Sequence, residues 1–221
     1  APAPSPAPVA APYVAPVAFG DAPSTLALDV ATINAATSNV ELQANEDINI
    51  NAAVNIANAG TSFTARAGGF LNMQAPITTN GGAVTLSAGD AGSLTSPNEG
   101  SLNVNAAITT NGGAVTLSAP VSDVDGNSVY LNAPIAAGAG QVAVSGQDIW
   151  VTSAGSIGRS GAGDLTLTSD RVRLEGSLAS SGGRVVIRPE AAARPVTLGG
   201  TDEGAALNLT QAELGQLTAD A

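Results

Sequence analysis

Residues 77–88 read ITTNGGAVTLSA, and residues 108–119 read ITTNGGAVTLSA again, 31 positions later. The match extends upstream, where LNMQAP (71–76) precedes the first copy and LNVNAA (102–107) the second. Repetition on a scale of about 20–50 residues marks a solenoid, a propeller or an array. Inside the repeat the apolar residues alternate: Val84 and Leu86 against Thr85 and Ser87, Leu71 and Met73 against Asn72 and Gln74. A period of two with β-branched residues describes a strand with one buried face. Asn80-Gly81-Gly82 and Asn111-Gly112-Gly113 supply corner residues that tolerate positive φ. Each repeat is then about three short strands joined by tight corners. Such a unit cannot bury its apolar face alone and must stack on copies of itself.

Degenerate copies follow the same pattern. DININAAV (47–54) matches SLNVNAAI (101–108) and SVYLNAPI (128–135), while DIWV (148–151) and DRVRL (170–174) keep the alternation alone. The other half of the unit recurs as Val40/Leu42, Val84/Leu86, Val115/Leu117, Val142/Val144, Leu165/Leu167 and Val185/Ile187. The aligned apolar positions Ile50, Met73, Val104, Leu131, Val151 and Leu174 lie 23, 31, 27, 20 and 23 residues apart. That scatter does not suit a propeller blade or a leucine-rich repeat. It suits an all-β parallel β-helix (β-solenoid), in which each coil keeps its strands and varies its corners. The spacing predicts seven to eight irregular coils between Asn39 and about Leu198. Residues 89–100 (GDAGSLTSPNEG) and 122–128 (SDVDGNS) are expected as corner loops, and residues 25–37, with Leu26, Leu28 and Val30 alternating, as the first strand.

Three segments follow. Residues 1–24 form a Pro/Ala-rich extended arm or linker, residues 25–205 the parallel β-helix, and residues 206–221 a C-terminal cap or the start of a further coil. The arm holds more than half of the thirteen prolines, which favours polyproline II and excludes it from a sheet interior. A pure spacer has no use for Val9, Tyr13, Val14, Val17 and Phe19, whereas an arm that contacts another subunit does. At the other end Thr210 and Glu213 have the spacing of a capping box ahead of a short helix. Leu207, Leu209, Leu214 and Leu217 are the apolar residues available for an end cap there. An exposed coil end is a sheet edge, which must be covered or will pair with another chain.

Composition narrows the chemistry. Of 221 residues 26 are Gly and only 11% are charged, and the net charge is −11, so no basic patch is available to neutralise phosphates and nucleic acid is not an expected partner. Cys, His and Lys are absent. Their absence excludes disulfides, thiolate chemistry, the Ser-His-Asp triad, His-ligated zinc and Schiff bases. No run of about 18 apolar residues exists to span a membrane. Six of the seven Arg fall between Arg159 and Arg194, which reads as a solvated face with local ion pairs.

The segments NVELQANEDININAAV (39–54), ITTNGGAVTLSA (77–88 and 108–119) and ALNLTQAELGQLTA (206–219) resemble filamentous haemagglutinin-like exoproteins, large secreted bacterial adhesins. The resemblance covers about residues 30–221. It implies a right-handed parallel β-helix outside a Gram-negative cell, working in adhesion, biofilm or surface structure. The chain is shorter than typical members, so it reads either as a piece of a long shaft or as a small subunit with the same coil pattern.

Candidate sites are few. Asp123 and Asp125, beside Gly126 and Asn127, form an oxygen-rich loop that could hold Ca²⁺, but they miss the EF-hand spacing and read as a turn. Gly161-Ala162-Gly163-Asp164 is similar to a calcium-binding nonapeptide but occurs once. Asp170, Arg171, Arg173 and Glu175 put charge on one strand, yet alternation leaves Arg171, Arg173 and Glu175 as an ordinary exposed row. The Thr pairs 78/79 and 109/110 sit on too irregular a spacing for an ice-binding lattice. The expectation is a non-enzymatic extracellular structural protein with no cofactor or metal. It assembles head-to-tail with itself through the arm. The alternative is the shaft of a monomeric adhesin that binds a cell or polysaccharide surface.

Overall fold

In the computed structural model, residues 11–12, 17–20, 26–93, 95, 100–119, 127–200 and 206–220 are described. They form three parallel sheets wound as one β-solenoid. Sheet 1 stacks seven strands, Val40–Ala44, Phe63–Ala67, Val84–Ser87, Val115–Ala119, Val142–Gly146, Leu165–Thr168 and Val185–Arg188. Sheet 2 stacks six: Ile48–Ile50, Leu71–Met73, Leu102–Val104, Ser128–Leu131, Asp148–Val151 and Arg171–Leu174. Sheet 3 stacks Val54–Ile56, Ile77–Thr79, Ile108–Thr109, Pro134–Gly138, Ser156–Ser160, Ser177–Ser181 and Leu217–Asp220. Every strand pairs in parallel with the same sheet's strand one coil later, so each complete coil contributes one strand to each sheet.

The register matches the repeat seen in the sequence. Ile50, Met73, Val104, Leu131, Val151 and Leu174 are consecutive partners in sheet 2. Their side chains, with those of the Ile77, Ile108, Ile135 and Ile157 column of sheet 3 and the Leu86, Leu117, Val144 and Leu167 column of sheet 1, fill one continuous core and are nearly all buried. Each such side chain contributes about 1.5–3 kcal/mol by leaving water. Six complete coils are present among the described residues, followed by an incomplete seventh. The expectation of seven to eight carried the coils on to about Leu198, but Val196–Leu198 leaves the three stacked sheets and pairs with Leu207–Leu209 in a separate two-stranded sheet. Six steps of about 4.8 Å make sheet 1 about 29 Å tall.

The asparagine-glycine corners have a physical reason. Gly81 and Gly112 take positive φ of 81° and 109°. The next glycine in each corner is pressed on the coil below: a Cβ on Gly113 would lie 2.1 Å from the Gly82 carbonyl oxygen. Thr79 and Thr110 point inward and are fully buried, each donating its hydroxyl to the carbonyl of the glycine three residues on. These bonds close the turn from sheet 3 to sheet 1.

Chain and side-chain groups cover part of each end. At the N-terminal end Val17 forms a parallel bridge with Leu42, donating to Glu41 O (3.1 Å) and accepting from Gln43 N (2.7 Å). Residues 25–37 do not continue as one strand. Leu28–Asp29 pairs briefly with Ala11–Pro12, and helix α1 (Val30–Asn34) follows because Asp29 caps it by accepting from Ala31 N. Ile33 of α1 is buried, and the Asn34 amide donates to Ala53 O and accepts from Asn55 N, replacing a strand at the first edge of sheet 3. At the C-terminal end Val196–Leu198 pairs with Leu207–Leu209, and helix α2 (Gln211–Leu214) carries the expected capping box between Thr210 and Glu213. Glu213 is buried. Its carboxylate accepts from Leu174 N, Thr210 N and the Thr210 hydroxyl, which closes the end of sheet 2. Among the described residues no helix is long and apolar enough to cross a membrane.

Candidate functional site

Alternation along sheet 2 sends Ile50 and its partners inward, so the residue before each of them faces out. In register from the first coil to the sixth these outward residues are Asn49, Asn72, Asn103, Tyr130, Trp150 and Arg173. The first three form an amide ladder. Asn72 Nδ2 donates to Asn49 Oδ1 (3.1 Å) and Asn103 Nδ2 to Asn72 Oδ1 (2.9 Å). Two residues further along each coil, Asn132 Nδ2 donates to Asn105 Oδ1 (2.7 Å). The column then turns aromatic: the Tyr130 and Trp150 rings lie 6.1 Å apart at 55°, and the Arg173 guanidinium sits 4.5 Å from the centre of the Trp150 ring. That cation–π geometry contributes about 0.5–1 kcal/mol at an exposed site.

The expected charged row is present and paired. Arg171 holds both carboxylate oxygens of Asp148 in a fork, and Arg173 reaches Glu175 at 3.2 Å. Exposed pairs of this kind contribute about 0–1 kcal/mol each. Arg159 departs from the solvated reading. It lies in the inward phase of Ser156–Ser160, is 5% exposed, and donates to the carbonyls of Gly140, Ser160 and Gly163 and to the Ser180 hydroxyl. It occupies the corner position that Thr79 and Thr110 hold in earlier coils and stitches three coils together.

The other residues singled out by sequence fall as follows. Val17 and Phe19 of the arm pack on their own chain. Phe19 is buried, with its main chain held by the side chains of Gln43 and Asn45. Ser93 and Thr95 reach the same place and donate their hydroxyls to Asn45 O. Val9, Tyr13 and Val14, and Asp123 with Asp125, lie outside the described residues. Leu207 and Leu209 are buried, while Leu214 and Leu217 are half-buried. Asp164 of the nonapeptide-like stretch is engaged by Arg184, which donates to its two carboxylate oxygens at 3.2 and 2.7 Å. Those bonds outweigh desolvation and hold the Asp164 carboxyl below the usual carboxylate range. Among the described residues no three Asp or Glu side chains converge as a metal site would require.

Sequence reasoning weighed the row at 171–175 but not the column it belongs to. The signal was available: once the coils are aligned, one position between two core residues reads Asn, Asn, Asn, Tyr, Trp, Arg. No protein-family model, no curated protein and no solved structure matches this chain.

Proposed function

We propose that this chain is an extracellular structural protein, a non-catalytic β-solenoid segment of a surface or matrix filament that extends by end-to-end stacking. The observation that carries this reading is the difference between the two ends. At the N-terminal end Val17 already adds a rung below sheet 1, and Asn34 closes sheet 3. At the C-terminal end Val185, Val186 and Ile187 are only half-buried, and Val196 and Leu198 are 50% and 65% exposed on an edge strand. Strand edges with apolar side chains are satisfied by β-augmentation. A second copy, docking its arm-bearing end on Val185–Arg188, would continue sheet 1 from one molecule into the next. The repetitive coil pattern and its likeness to secreted adhesin repeats support a place outside a Gram-negative cell.

The test is sedimentation velocity of the purified chain, intact and with residues 1–20 removed. Concentration-dependent growth that disappears on truncation, while circular dichroism stays β-rich, is the expected result. Growth that persists unchanged without the arm refutes its role. A second reading, the shaft of a monomeric adhesin, is favoured by the arm's contacts with its own first coil. A single monomeric species in both samples would select it.

A further inference from the structure

On the outer face of sheet 2 the first four coils present two columns without charge, while the fifth and sixth coils carry Asp148, Arg171, Arg173 and Glu175 and the chain as a whole is acidic. Across the first four coils its two outward columns carry Asn49, Asn72, Asn103 and Tyr130 beside Asn51, Gln74, Asn105 and Asn132, while the chain as a whole has a net charge of −11. Asn is depleted in strands, so strand propensity does not account for its repetition at the middle of three successive strands. The ladder bonds account for part of it. A carboxamide has two N–H donors and two acceptor lone pairs, and within the ladder Asn72 uses one of each. The remaining donor and acceptor leave the face with paired valences at intervals of about 4.8 Å from coil to coil and about 6.6 Å along each strand.

We infer that this face is a binding surface for a neutral polysaccharide. Sugar hydroxyls both donate and accept, which is what an amide with one free N–H and one free lone pair requires. The parallel in-register stacking repeats these groups coil after coil, which suits a ribbon of linked pyranose rings. Tyr130 and Trp150 continue the same column with amphipathic rings; the Arg173 guanidinium covers part of Trp150, and sugar C–H groups pack on the ring surface left open. A polyanion is disfavoured, because the net field of the chain repels it and the columns offer no cation before Arg173. The inference does not depend on end-to-end assembly, because the face runs along the side of the solenoid.

The experiment is co-sedimentation of the intact chain with insoluble cellulose, chitin and mannan, with hyaluronate beads as the anionic control. Titration with the matching soluble oligosaccharides is followed by fluorescence of Trp150, the single tryptophan. At least one neutral polymer is expected to retain the chain, with oligosaccharide changing the emission. The double change Asn103→Asp with Asn105→Asp should lower the affinity about tenfold or more. Gln74→Ala leaves the ladder intact and should weaken binding several-fold. Thr116→Val, on the exposed face of sheet 1, should leave it unchanged. The inference is overturned if no neutral polymer retains the chain, if hyaluronate retains it equally, or if binding survives both changes to the face.

Discussion

Arg159 provides the sharpest test of how the coils are held together. Its guanidinium donates to Gly140 O (3.0 Å), Ser160 O (2.9 Å), Gly163 O and Ser180 Oγ (3.0 Å), so it bridges the corners of the fourth, fifth and sixth coils. Hydrogen bonds to a charged group contribute about 1.5–3 kcal/mol each, and part of that is offset by the desolvation of the guanidinium. Arg159→Ala removes all of these bonds, leaves buried carbonyls without a donor and opens a cavity beside Gly163 and Gly183. The expected loss is about 3–5 kcal/mol. A solenoid's stability is close to a sum of nearest-neighbour terms, so the loss falls on the interfaces around the fifth coil and not evenly along the stack. Urea unfolding should be followed at Trp150, which shares that coil, and in parallel by circular dichroism. The variant should show a lower midpoint at Trp150 and an earlier first phase by circular dichroism. Arg159→Met, which refills the space without donors, should recover only the packing part. A variant within about 1 kcal/mol of the parent, with coincident transitions, would refute the stitching role.

Three further outcomes follow from the same contacts. Gly113→Ala places a Cβ 2.1 Å from a backbone carbonyl of the coil below, so it should destabilise by about 3 kcal/mol or more in urea titration. Glu213→Ala removes the acceptor for Leu174 N and for both Thr210 donors, so amides of residues 171–174 and 207–217 should lose hydrogen-exchange protection while those of residues 40–119 keep it. For Asp164 the folded carboxyl sits below its ordinary range because Arg184 bonds to it. The contribution is therefore complete above the unfolded carboxylate value and lost as pH falls through the lower folded value. Arg184→Ala should return the Asp164 titration to the ordinary range by carbon-detected NMR and flatten that part of the acid stability profile.

Much of the coil pattern was legible because identical chemistry recurs at identical places. The six sheet 2 positions from Ile50 to Leu174, and the sheet 1 pairs from Val84/Leu86 to Val185/Ile187, are partners as aligned. The pair missed was Phe63/Ala65, which sits between Val40/Leu42 and Val84/Leu86. There a large and a small residue replace two of medium size, so total core volume is served without the aliphatic signature. Sheet 3 was faint because its later strands, Pro134–Gly138 and Ser156–Ser160, are rich in Ala, Gly and Ser. Helix α1 was hidden because Leu26, Leu28 and Val30 alternate like a strand until Asp29 caps the turn. By sequence alone Arg159 reads as a surface charge. Its place two residues after Ile157, in the inward phase, was the clue, and only the neighbouring glycine carbonyls show why a charge is tolerated there. The arm's apolar residues were visible in sequence, but not that Val17 and Phe19 find partners in the first coil.

Electron microscopy of the purified intact chain in negative stain shows whether the solenoid stacks end to end. Six steps of about 4.8 Å plus one or two more at each junction predict filaments with an axial repeat of about 34–38 Å. Unbranched filaments with that repeat are the expected result. Isolated rods of about 29 Å at every concentration tried would contradict it.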